Sequence, residues 1–106
     1  MAVFFTASNI AEAELLATIL VNERLAACVQ ILPGMTSVYR WQGVVQRESE
    51  VLLIAKSTAT VFAKLELTVR AHHSYDTPEI VAFPIAQLSA PYAAWLTENV
   101  GPEREA

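Results

Sequence analysis

The chain has 106 residues, of which 54% are apolar, with 11 Asp plus Glu against 7 Lys plus Arg and a formal charge of −4. One domain over residues 1–106 is expected at this length, and the scattered basic residues exclude the positive stripe that a nucleic-acid partner requires. No apolar run approaches the roughly 18 to 20 residues of a membrane span, no basic leader precedes an apolar segment, and the lone Cys28 excludes an intrachain disulfide, so a cytoplasmic protein without membrane association is expected.

Residues 2–6 are an apolar, β-rich run that predicts the first strand. Ser8 and Asn9 follow with capping oxygens, and Glu12 and Glu14 sit where a helix N-terminus favours carboxylates. Ile10, Ala13, Leu16, Ala17 and Leu20 recur at three- and four-residue steps, predicting a helix over residues 10–24. Residues 27–32 read as a second strand ended by Pro33-Gly34, and the β pattern resumes over 37–41 before a turn or bulge at Gln42-Gly43. Residues 44–46 continue extended, the polar residues 46–49 predict another turn, and residues 50–56 read as a strand buried on both faces at the sheet centre. Thr58 or Thr60 can cap a second helix running to about residue 71, with Val61, Phe62, Leu65 and Val69 on one side. Residues 79–85 predict a further strand whose Pro84 favours an edge or a bulge, and Pro91 opens a last helix carrying Tyr92, Trp95 and Leu96.

The order β-α-β-β-α-β plus a terminal helix predicts an α+β fold, a ferredoxin-like two-layer sandwich with both main helices on one face of an antiparallel sheet. Val38, Tyr39, Trp41, Val44 and Val45 would then expose apolar and aromatic surface on a central hairpin. Packing between copies of the chain is the simplest cover for it.

The stretch HHSYDTPEI, residues 72–80, gathers both histidines, two carboxylates and a phenol. Three readings stand: a metal site, an acid–base constellation, or a polar junction between helix and strand. Neighbouring histidines on a helix point about 100° apart, so His72 and His73 share one ion only if the helix has already ended. Cys28 in an apolar strand reads as a small buried hydrophobe or as an intersubunit ligand. Tyr39 and Trp41 suit either the wall of a cleft or an oligomer interface, and Lys56 either meets an anion or pairs with a carboxylate such as Glu79. No nucleophile lies beside a base, and the glycines do not form the anion loop of an acylphosphatase. The chain is therefore not expected to be an enzyme.

Five blocks carry a resemblance: RLAACV at residues 24–29, SVYRWQG at 37–43, EVLLIAK at 50–56, HSYDTPEI at 73–80 and PYAAWL at 91–96. In order and spacing the chain resembles the CutA family of divalent-cation tolerance proteins. The resemblance implies a ferredoxin-like subunit, a homotrimer built by edge pairing of long strands, and a connection to copper and other divalent metal ions; because one chain offers too few well-spaced ligands for a closed structural site, no cofactor is expected to be required for folding. It implies a metal set drawn from His73, Asp76, Glu79 and Cys28, and an intersubunit cleft with Tyr39, Trp41, Lys56 and Tyr75. The family's usual His-Pro-Tyr-Glu-x-Pro-Glu block departs here in Ser74 for proline and Asp76 for glutamate, which brings that carboxylate in on a shorter arm. By analogy of fold, the alternative is a signalling trimer similar to the PII proteins, binding a small ligand or partner protein between subunits.

Overall fold

A computed structural model of the chain describes residues 1–103; of the single domain expected over 1–106, the last three residues lie outside the described residues. Strand β1 (Ala2–Ala7) buries Val3, Phe5 and Ala7 completely. Helix α1 (Ile10–Asn22) starts where Asn9, in extended backbone, accepts the Glu12 N–H on its side chain at 2.8 Å. Its buried stripe is Ala13, Leu16 and Leu20, three of the residues whose spacing predicts the helix. The helix stops two residues early because Glu23 caps it and Arg24 turns the chain with φ 58°.

Strands β2 (Cys28–Trp41) and β3 (Val44–Lys56) form one long antiparallel hairpin, and a short 3₁₀ turn leads into α2 (Phe62–His72). Strand β4 (Ile80–Phe83) and helix α3 (Ala90–Glu98) complete the chain. The sheet order is β2-β3-β1-β4 with every pair antiparallel, which is the expected ferredoxin-like arrangement. Leu16 and Leu20 of α1, Leu65 and Val69 of α2, and Val3, Phe5, Leu53 and Ala55 of the interior strands form one core.

Two expected breaks are absent. Pro33-Gly34 does not end β2; the register merely shifts between Leu32 and Met35, and Gly34 takes φ 82° there. β2 is an edge strand, where a proline can sit without costing a ladder bond and a bulge can absorb an extra residue. The polar residues 46–49 are not a turn either, since Tyr39 pairs with Gln46, Val38 with Arg47 and Ser37 with Glu48. Together these residues build an arm closed at Gln42-Gly43, and the molecule extends 53 × 27 × 21 Å. β4 is shorter than expected because Pro84 follows its last residue at the other edge of the sheet.

Candidate functional site

Helix α2 ends at His72, and His73 has extended backbone (φ −84°, ψ 146°), so the two imidazoles part company. The His72 ring stays on the helix surface, with Nδ1 2.9 Å from the Thr68 carbonyl. The His73 side chain is fully enclosed. Its Nδ1 accepts the Tyr75 N–H at 3.0 Å, which assigns the ring proton to Nε2, donated to the Thr6 carbonyl at 2.6 Å. Both nitrogens are thus committed within the chain.

Glu12 lies beside this ring, with its carboxylate 4.0 Å from His73 Nε2. One oxygen accepts the Ser8 N–H at 2.8 Å and the Ser8 hydroxyl at 3.1 Å; the other accepts the Ser74 N–H at 2.8 Å. Partial burial pushes this carboxyl upward, but the bonds from Ser74 and Ser8 and the nearby His73 outweigh it and hold the group down at about 2.

From this anchored point the chain runs along one wall of a cleft of about 790 Å³. Tyr75, Asp76, Thr77 and Glu79 supply that wall; Ser37, Val38, Tyr39 and Trp41 of β2 and Gln46, Glu48 and Glu50 of β3 supply the opposite one, with Thr6 beside them. The lining carries four carboxylates, Glu48, Glu50, Asp76 and Glu79, and no lysine or arginine among the described residues. Glu50 is buried, and the Tyr75 hydroxyl donates to it at 3.5 Å. Burial, then the charges of Glu50 and Glu48, push the Tyr75 phenol up to about 12; partial desolvation and a hydrogen bond with Glu48 raise that of Tyr39.

The cleft brings together Tyr39, Trp41, Tyr75, Asp76 and Glu79 of the residues singled out in the sequence. Cys28 and Lys56 are elsewhere. They pair with each other across β2 and β3, and Lys56 also faces Ala2, whereas Ile80 faces Phe5 near the far end of β1. The register therefore separates Lys56 from Glu79, and Lys56 donates instead to the Gln30 side chain at 2.9 Å. Cys28 Sγ lies 3.4 Å from the Tyr92 hydroxyl. Sequence reasoning missed Glu12, Glu48 and Glu50. The last two could have been found, since Gln46, Glu48 and Glu50 alternate and so share one face of a strand.

Among the described residues no three His, Cys, Asp or Glu side chains group closely enough to hold a metal ion. The four cleft carboxylates are therefore spread along its two walls and are not gathered around one point.

Residues 1–99 match the family described as CutA1 divalent ion tolerance protein. The chain is 54% identical over 89 residues to the divalent-cation tolerance protein CutA of Thermus thermophilus, covering 84% of this chain and 86% of that protein. It is 45% identical over 97 residues to the chloroplastic protein CutA of Arabidopsis thaliana, covering 92% of this chain and 53% of that one. The structure superposes on the Thermus thermophilus divalent cation tolerance protein with a TM-score of 0.92 at 50% identity, covering 95% of this chain and 100% of that one. For CutA1 of Oryza sativa the TM-score is 0.91 at 40% identity, with 99% and 94% covered. With its fold, its sequence blocks and almost its whole length shared with these proteins, the chain belongs to the CutA1 divalent ion tolerance family.

Proposed function

We propose that this chain works as a cytoplasmic homotrimer in divalent-cation tolerance, drawing copper or another divalent cation weakly and reversibly into the acidic cleft. The observation that carries this is the cleft itself, with four carboxylates and no basic side chain among its described lining residues. A site of one sign with low-dielectric walls concentrates cations near it. Weak binding follows from the open donor set, because tight divalent sites need several ligands fixed in a defined geometry. Asp76 and Glu79 are the donors proposed for the ion, with His73 in a supporting role beneath them because its two nitrogens already bond to Thr6 and Tyr75. A neighbouring subunit would complete the shell, and its Cys28 is the soft ligand that would favour copper. Binding, not turnover, is the proposed activity.

Calorimetric titration of Cu²⁺ tests the proposal. The double variant Asp76→Asn, Glu79→Gln should bind about tenfold more weakly than wild type, a loss of about 1.4 kcal/mol. Copper binding equal to wild type in that variant would overturn the cleft assignment. A second reading has its own observation: Tyr39 and Trp41 line the cleft, aromatic walls that also suit a small ligand or partner protein held between subunits, as in a PII-like signalling trimer. Such a ligand would bind in competition with Cu²⁺ and shift Trp41 fluorescence.

A further inference from the structure

The loop that forms one wall of the cleft is fastened where it begins, by hydrogen bonds at three consecutive residues. His73 donates to the Thr6 carbonyl at 2.6 Å, the Ser74 N–H donates to Glu12 at 2.8 Å, and the Tyr75 N–H returns to His73 at 3.0 Å. Glu12 belongs to the first turn of α1, where one of its oxygens is already occupied by the Ser8 amide and hydroxyl. A carboxylate that only capped the helix would use the Ser8 side alone. Here the second oxygen reaches a backbone amide 62 residues away in sequence, at the point where α2 gives way to the loop. Beyond that point come Tyr75, which meets Glu50 across the cleft at 3.5 Å, then Asp76 and Glu79.

We propose that Glu12 is a positioning residue for the cleft: its carboxylate, bridging the Ser8 and Ser74 amides, fixes the start of the 73–79 segment and so the placement of Asp76 and Glu79 against the strand wall. The bridge needs two acceptor oxygens on one side chain. A glutamine at position 12 keeps the size but offers one carbonyl oxygen, so it must release either Ser8 or Ser74. An alanine at position 12 removes both acceptor oxygens and with them the whole bridge. The functional consequence rests on the cation reading of the cleft, whereas the bridge stands on geometry alone.

Amide hydrogen exchange and Cu²⁺ calorimetry on Glu12→Gln, Glu12→Ala and wild type test the inference together. Exchange at Tyr75 should rise roughly tenfold in both variants while amides of β1 and β3 keep their protection, and Cu²⁺ affinity should fall severalfold. Arg24→Ala serves as a control for general destabilisation. Arg24 donates to the carbonyls of Glu98, the last residue of α3, and of Gly101 beyond it, so its loss should lower Tm but leave Tyr75 exchange and Cu²⁺ affinity at wild-type values. Unchanged Tyr75 exchange in both variants would overturn the bridge, and an Arg24→Ala effect equal to theirs would reduce it to ordinary stability. If Asp76→Asn, Glu79→Gln binds Cu²⁺ like wild type while Tyr75 exchange rises as expected, the cation reading fails and the bridge stands.

Discussion

Burial of a carboxyl raises the pH at which it ionises, yet Glu12 moves the other way because donors from two distant segments converge on it. The folded value, about 2, lies below the ordinary 4.5, so the ionised form stabilises the fold. That contribution is fully present above about pH 4.5 and is lost as pH falls from there through 2. At neutral pH, Glu12→Gln should cost about 1–3 kcal/mol, a range set below the full shift because the group keeps some contact with water. The gap between wild type and variant should close steadily between about pH 5 and pH 2. Urea unfolding at one fixed protein concentration, repeated across that range, checks this; a gap independent of pH would show that Glu12 acts only through its shape. Tyr75 behaves oppositely, since its phenol, pushed up to about 12, stays protonated at neutral pH and remains a donor to Glu50.

The β2–β3 hairpin turns on two residues that both have positive φ, Gln42 at 49° and Gly43 at 79°. That is the signature of a type I′ turn, whose twist matches the strands it joins and which favours Asn-Gly. A Cβ at position 43 would meet nothing within 4 Å, so the cost of replacing the glycine is conformational and not steric. Gly43→Val should destabilise by about 1–2 kcal/mol, and Gln42→Asn should stabilise by a few tenths. Thermal unfolding of both, with an unchanged strand signature in circular dichroism, measures the pair; equal stability of Gly43→Val and wild type would contradict the turn type. This arm is also where the sequence was hardest to read. Residues such as Leu16, Leu20, Leu65 and Val69 repeat at helical spacing because a core selects them, and their helices were legible for that reason. No buried face selects the residues of the arm, so Pro33-Gly34 and residues 46–49 display turn chemistry while strand pairing decides their structure. In the cleft, Tyr75, Asp76 and Glu79 were visible as sequence neighbours. Their partners Glu48 and Glu50 come from another strand, and the separation of Cys28 from His73 depends on a register that local pattern does not encode.

A globular domain of this length has a radius of gyration of about 13 Å, whereas this chain has 14.7 Å because the arm stands away from the core. The arm carries Val38, Trp41, Val44 and Val45 in exposed positions, with Trp41 at 52% and Val45 at 60%. Isolated two-stranded ribbons are marginal in water, and a long edge strand such as β2 invites further pairing. An arm of this kind is stable when another copy covers it, and the acidic cleft at its root would then lie next to the neighbouring subunit. The protein should therefore scatter light as a species of three subunits, each of 11.6 kDa, at micromolar concentration. Val38→Lys with Val45→Lys should shift the mass toward one subunit, because each lysine places a charge that must be desolvated for the arm to be buried. Loss of the trimer should also weaken Cu²⁺ binding if a neighbour supplies part of the shell, whereas the His73–Thr6 bond lies within one chain and its exchange protection should survive. A wild-type mass of one subunit would overturn the trimer and, with it, any ligand contributed by a neighbour's Cys28.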